Sequence, residues 1–376
     1  VGGYNKKIKN NVMEVKVISS EVLDRIVTEE QLLLIYNISL DDWEVEKKVI
    51  NTWEVGAKTP DGTLAVTPLF QIKIWLKSKK PIRTLDDIRL EFKEDLKLLS
   101  PSIAPIKYPT PVTGDPKLLE LNIFDLHFGK ICWSEETGQE YNLQVAAETF
   151  RACIDYFINT AQVYSIERIL FPIGNDFFNS DRSSPYNSTT KGTPQEEDAR
   201  WQKTFRTGRQ LLVEAVNRLQ NLAPVDIVMV PGNHDFERNF YLGDSLEGWF
   251  YNNKNVTVNN SPNPRKYYRY NNVLLGFTHG NEEKVTDLPI IMAQENPADW
   301  CVTKHREFHI GHWHQKKEIK YKSTEEYQGV MVKYMSSLSG TDSWHHKKGY
   351  ISSKKSAEAL IWDRKKGLTA NLYYNI

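Results

Sequence analysis

Between residues 70 and 77, apolar and polar side chains alternate with period two. Phe70, Ile72, Ile74 and Leu76 fall on one face, and Gln71, Lys73, Trp75 and Lys77 on the other. That pattern predicts a strand with one buried side. Residues 43–80 read as two such strands around the Pro60-Asp61-Gly62 turn. Before them, residues 29–36, "EEQLLLIY", suit a short helix, and Ser39 offers a cap. Residues 85–100 suit a second, amphipathic helix. Helix followed by paired strands is the order of a winged helix-turn-helix, whose basic, aromatic strand face would suit nucleic acid.

Farther along, short apolar runs at 118–124, 168–173, 226–230, 273–279 and 307–311 read as strands. The segments 142–166 and 196–222 carry helical periodicity between the first three. Strands alternating with amphipathic helices predict a layered α/β domain, with ligands beyond the carboxyl ends of its strands. Residues 98–116 hold five of the 17 prolines. Clustered prolines favour extended chain, so this stretch is the expected linker. The chain therefore divides into an N-terminal α/β module (1–97), the linker (98–116) and a larger α/β domain (117–376). Residues 179–197, rich in Ser, Thr, Asn and Pro, form either a disordered insert or a functional loop over a site.

Composition narrows the picture only by exclusion. The 48 basic residues balance the 48 acidic ones, so no global charge draws the chain to nucleic acid or to a membrane. No run approaches the roughly 18 apolar residues of a membrane span, and the N-terminal stretch lacks the apolar core of a signal peptide. An intracellular protein without a membrane partner is expected. Cys132, Cys153 and Cys301 lack metal-site spacing and read as core thiols.

The strand ends carry the chemistry. "DLHFGK" follows the first predicted strand, with Asp125 and His127, and "GNDFFNSD" the second, with Asp176. "PGNHDFE" follows the third, with Asn233, His234 and Asp235. The fourth ends in His279, and the fifth leads into "GHWH", with His312 and His314. Five of the nine histidines occupy these positions, an alignment that independent helix caps and surface histidines do not produce. Carboxylate, amide oxygen and imidazole, without thiolate, suit Mn²⁺, Fe or Zn²⁺ in a reactive site rather than a structural zinc.

In this order the five motifs resemble those of the calcineurin-like metallophosphoesterase family. The resemblance covers about residues 117–345 and implies an αββα sandwich of two sheets with a dinuclear metal site on its rim. It implies that Asp125, His127, Asp176 and His314 hold one ion and that Asp176, Asn233, His279 and His312 hold the other, Asp176 bridging. His234 would serve as general acid or charge stabiliser near the phosphate, oriented by Asp235. One departure is Asn175, where many members have glycine directly before the bridging Asp.

"DLHFGK" and "DFFN" look most like the SbcD-type DNA repair exonucleases, although Asn179 stands where those enzymes commonly have a histidine. The expected activity is therefore a two-metal phosphodiesterase, a nuclease acting on DNA. A phosphomonoesterase acting on nucleotides or phosphoproteins is one alternative, and a catalytically inactive nucleic-acid-binding protein is another. Asn179, Arg182, His345 and Lys347 are the expected substrate contacts, with Tyr186 and Lys191 on the same loop as Arg182. Basic clusters at 78–83, 316–322 and 345–355 add local positive charge. An appended N-terminal domain with nuclease-like motifs would suit a phage replication or recombination protein. The sequence leaves the oligomeric state open.

Overall fold

A computed structural model describes residues 15–19, 28–79, 90, 94, 100–101, 106, 108, 114–312, 324–349 and 355–376. The chain separates into two compact units with the boundary between residues 92 and 93.

The first unit contains β1 (Val15–Ser19), α1 (Glu29–Ile35), β2 (Trp43–Lys58) and β3 (Leu64–Ser78). Thr28 starts α1 through a capping box, accepting the Gln31 N–H at 3.3 Å and donating its own N–H to Gln31 Oε1 at 3.2 Å. Ser39 does not cap a helix. Its hydroxyl accepts the Asp41 N–H at 3.2 Å in the turn that leads into β2. The sheet is antiparallel in the order β1-β3-β2. Ile72, Ile74 and Leu76 bury the face expected of them, against Leu32 and Leu33 of α1. On the other face the ammonium groups of Lys47 and Lys73 lie 5.2 and 5.1 Å from the Trp75 ring centre. The helix expected at 85–100 and the linker lie largely outside the described residues, as do the basic clusters at 78–83 and 316–322 in most or all of their length.

The second unit runs β4 (Lys117–Asn122), α2 (Ser134–Thr137), α3 (Leu143–Ala161), β5 (Ile166–Gly174), α4 (Trp201–Leu219), β6 (Val225–Val230) and α5 (Phe236–Trp249). It continues with β7 (Val256–Asn259), β8 (Lys266–Tyr270), β9 (Val273–Thr278), α6 (Leu288–Glu295), α7 (Pro297–Val302) and β10 (His305–Ile310). The last elements are β11 (Thr324–Tyr327), β12 (Val330–Tyr334), α8 (Ser343–Lys347), β13 (Ser356–Asp363) and β14 (Gly367–Asn375).

Two sheets result, of six strands (β14-β13-β4-β5-β6-β7) and of five (β11-β12-β10-β9-β8). Strands β4 to β7 are parallel, as are β9, β10 and β12. Successive residues alternate between two cores. Leu119, Leu121, Ile169 and Phe171 pack with α3 and α4, whereas Leu118, Leu170 and Val228 meet Val273, Leu275 and Phe277 of the other sheet. Leu288 and Met292 of α6 cover the outer side of the five-stranded sheet at Leu274, Phe308 and Val332. The layers are therefore helix, sheet, sheet, helix, the α/β sandwich expected. Strands buried on both faces explain why β4, β5 and β6 read as nearly continuous apolar runs. Cys132 and Cys153 are core thiols, but Cys301 is exposed on the short helix α7, none of whose residues is buried. Among the described residues no helix is long and apolar enough to cross a membrane.

Ion pairs join the two sheets, Lys333 of β12 with Glu358 of β13 at 2.6 Å and, at the centre, Glu120 with His309. Glu120 of β4 and His309 of β10 are fully buried, with His309 Nδ1 2.5 Å from Glu120 Oε1 and the Trp362 indole N–H donating to Glu120 Oε2 at 2.7 Å. Burial alone would lower the His309 pKa, but the Glu120 carboxylate, joined by Glu307, raises it to about 9. A folded-state pKa above the unfolded value of about 6.5 gives stability that is complete below pH 6.5 and lost as pH rises through 9. His309→Leu removes the ionic partner of buried Glu120 and should cost about 3–5 kcal/mol near pH 6. The stability gap to wild type, followed by urea unfolding, should narrow between pH 6.5 and 9. A gap independent of pH would contradict this reading.

Candidate metal centre

The loops that leave β4, β5, β6, β9 and β10 meet at one rim, because the strands run parallel and their carboxyl ends face the same way. The first two loops are laced together by backbone hydrogen bonds, Asp125 N–H to Asn175 O at 2.8 Å and His127 N–H to Asp176 O at 3.0 Å. The Asn175 N–H continues the lacing to Val230 O of β6 at 2.7 Å.

This convergence requires unusual backbone. Of the eight described non-glycine residues at positive φ, five lie here: Asp125, His127, Asn175, Asp176 and His312. Such strain costs on the order of 1–3 kcal/mol per residue and persists where the surroundings over-determine it. Asn175, the departure noted in the sequence, holds the required conformation at φ 47°, consistent with the tolerance of asparagine for the left-handed region. Gly232 is needed for a different reason. A Cβ there would lie 2.0 Å from Asp176 Oδ1.

Asp176 is fully buried at the centre. Its Oδ1 accepts the His234 N–H at 2.7 Å, and its Oδ2 lies 2.9 Å from His279 Nε2. The same Nε2 lies 2.9 Å from Asn233 Oδ1, and its hydrogen-bonding direction favours that oxygen, which leaves Asp176 Oδ2 close but without a directed donor. Two oxygens from two other segments thus each lie 2.9 Å from His279 Nε2. Adjacent donors on an octahedral ion with bonds of about 2.0–2.1 Å stand about 2.9 Å apart. Together with a donor set of imidazole, carboxylate and amide oxygen, that spacing fits a divalent cation.

Among the described residues two groups of side chains could hold such ions. One is His127, Asp176 and His234, the other Asp176, His279 and His312, each with ligand atoms within 4.8 Å of one another. Asp176 belongs to both. His127 and His234 meet edge to face at 4.6 Å, and His279 and His312 at 5.0 Å. The second group, with Asn233 beside it, brings together the residues that the resemblance implies for one ion. In the first, His234 stands with His127 and Asp176. Asp125 lies at the same centre, both its carboxylate oxygens accepting the His312 N–H at 3.3 and 3.2 Å. His314 lies outside the described residues.

Burial would raise the Asp176 pKa, but His279 and His234 hold it well below the carboxylate range. Burial would lower the His279 pKa, but Asp176 raises it to about 9. Burial, reinforced by the Asp176 charge, pushes Asp125 up to about 7 and Asp235 to about 8. Burial and then the neighbouring His279 depress His312 to about 4. A proton on His279 is the counter-charge of Asp176 in the bare protein, and a divalent cation on the same atoms would supply that charge and more.

Asp235 does not orient His234. Its carboxylate turns back to accept the Gly232 N–H at 3.0 Å and the Phe178 N–H at 3.2 Å, fixing the turn before α5. The His234 ring is held instead by the Asn179 carbonyl, 2.8 Å from Nδ1.

A cleft of about 750 Å³ opens over the rim and reaches His127, His234, His312 and Asn233. Of the expected substrate contacts, Asn179 and His345 line it, whereas Arg182 and Lys347 do not. Arg182 is exposed on a turn where its backbone pairs with Ser188, and Lys347 is exposed at the last turn of α8. Lys191, also exposed, pairs with Glu282 at 2.7 Å. Sequence reasoning missed Lys130 and Asp342, which line the cleft and pair at 3.1 Å, with Asp342 also holding His345 Nδ1 at 2.7 Å. Lys130 ends the "DLHFGK" motif, the one signal that could have found it.

The 179–197 segment is an ordered wall. Asp181 accepts the Thr190 hydroxyl at 2.8 Å and the N–H groups of Glu237 and Arg238 at 3.0 and 2.9 Å, tying the loop to the start of α5. Buried Glu197 receives the Ser180 hydroxyl and lies 3.5 Å from Arg238.

No protein-family model and no curated protein matches the chain. A solved structure of Vps29 from Chaetomium thermophilum is similar at a TM-score of 0.28 and 10% identity, over 69% of this chain and 97% of that one. Likeness at that level leaves function to be read from the residues themselves.

Two outcomes follow from the geometry. Asp176→Asn should lower the Mn²⁺ content of the purified protein at both groups, and elemental analysis that finds wild-type stoichiometry would contradict the shared role. Asp181→Ala should remove about 1 kcal/mol of capping and expose the 179–197 loop to limited proteolysis. Unchanged resistance to protease would show that the loop is held by other contacts.

Proposed function

We propose that the chain is a metal-dependent phosphoesterase of the calcineurin-like kind that hydrolyses phosphodiester bonds, with DNA as its substrate. The observation that carries this reading is the position of Asp176, one buried carboxylate common to two candidate ligand groups beneath a cleft. Divalent ions held as a pair supply Lewis acidity at a phosphoryl oxygen and a water of lowered pKa.

The chain's own residues would do the rest. Asp176, Asn233, His279 and His312 would hold one ion, and Asp125, His127, Asp176 and His314 the other. His234 would meet the substrate. A carbonyl oxygen can only accept, so the Asn179 carbonyl fixes the proton of the neutral ring on Nδ1 and leaves Nε2 to face a phosphate oxygen or the leaving oxygen. Burial lowers the His234 pKa, so the ring would be neutral at rest and take up a proton as phosphate charge arrives. Asn179 is a positioning residue in this scheme. Asp235 supports the turn that presents His234.

The test gives the Mn²⁺-loaded protein a bis-aryl phosphodiester, an aryl phosphomonoester, single-stranded DNA and duplex DNA. Turnover of the diester is expected, with a loss of about 10²–10⁴-fold in His234→Ala at unchanged metal content. Turnover of the monoester alone would overturn the diesterase reading in favour of a phosphatase. No turnover with Mn²⁺, Fe or Zn²⁺ would favour a binding protein.

A further inference from the structure

The floor of the cleft carries the histidines, whereas its walls are mainly aromatic and neutral, with Glu196 and the Lys130–Asp342 pair as the charged members. Trp344 of α8 is 57% exposed, and Tyr186 of the 179–197 loop 51% exposed. The chain exposes other aromatics, Trp133, Tyr241 and Tyr251 among them, but these two line the same cleft beside the candidate metal centre. Between them the lining is amide and hydroxyl, from Asn187, Thr189, Thr193 and Gln195. Lys130 is the one lysine among the described lining residues, and no arginine joins it. It is 4% exposed, with its ammonium 3.1 Å from the Asp342 carboxylate.

These features separate two ways of engaging nucleic acid. A duplex is held mainly through its phosphates, each contact needing a lysine, an arginine or a comparable donor. The described walls offer no unpaired cation for that purpose. An unpaired base instead presents a π-face for stacking and polar edges for amides and hydroxyls. Both aromatic supports are built in advance. Asp342 caps α8 by accepting the His345 N–H at 2.9 Å, and Asp181 ties the loop that carries Tyr186 to α5.

Building on the phosphodiesterase reading, we infer that the cleft takes a single unpaired nucleotide, its base stacked on Trp344 with Tyr186 as the second aromatic wall and its phosphate at the His127, His234 and His312 end of the cleft. The substrate is then single-stranded nucleic acid, and Trp344 is a specificity-determining residue rather than a catalytic one.

Fluorescence anisotropy with Ca²⁺ in place of Mn²⁺ separates this inference from the reading beneath it. The probes are a labelled thymidine 12-mer, a 12-mer of abasic sugar-phosphate with the same charge, a uridine 12-mer and a duplex. Wild type should bind the thymidine strand about 5- to 150-fold more tightly than the abasic strand, the range expected of base stacking. Trp344→Ala should abolish that ratio and Trp344→Phe should retain it. The uridine strand distinguishes the sources: equal affinity shows that DNA and RNA share the site, and weaker affinity assigns it to DNA.

Equal binding of thymidine and abasic strands, or duplex bound as tightly as single strand, would overturn the inference. Cleavage in Mn²⁺ is scored separately. Base-dependent binding without cleavage would leave the stacking site standing and remove the phosphodiesterase reading. Cleavage without base-dependent binding would do the reverse.

Discussion

The carboxylate of Asp176 has no access to solvent, and the geometry of the rim follows from what that charge requires. An unpaired buried carboxylate is so costly that it either takes a proton or gathers counter-charge. Here it gathers the His279 imidazole on one oxygen and the His234 N–H on the other. Room for it exists because Gly232 has no side chain, and its direction is set by a left-handed backbone from Gly174 through Asn175 to Asp176. The partners arrive from β6, β9 and β10, so the site can form only when both sheets are in place.

That dependence explains where the structure is reinforced. The lacing of the β4 and β5 loops, the Glu120–His309 pair between the sheets and the anchoring of the 179–197 wall to α5 all act on elements that deliver a ligand or close the cleft. The strained backbone is concentrated at the rim, while the cores beneath are apolar and fully buried. Stability made in the layers is spent at their edge.

Much of this was legible in the sequence because burial and chemistry leave periodic traces. Both long helices, α3 and α4, and the five strands that feed the rim were readable from apolar spacing. Their terminal residues were readable because metal-binding side chains recur at the same place in each. Elements with a mixed or short pattern escaped, among them α5, which buries Arg238 and Asn239, and the edge strand β7. Asp235 was misread because adjacency to a histidine says nothing of direction, and the unpaired N–H groups of a tight turn drew its carboxylate backwards. Arg182 and Lys347 were named for charge alone, whereas the cleft is walled mainly by neutral groups. The Lys130–Asp342 pair joins distant segments and could be found only in three dimensions.

The central claim is that one carboxylate serves two ions. Anomalous diffraction at the manganese edge, from crystals grown with Mn²⁺, tests it directly. The account predicts two peaks at the rim, about 3.5–4 Å apart, each with an Asp176 oxygen among its ligands. A single peak, or two peaks of which only one contacts Asp176, would contradict it.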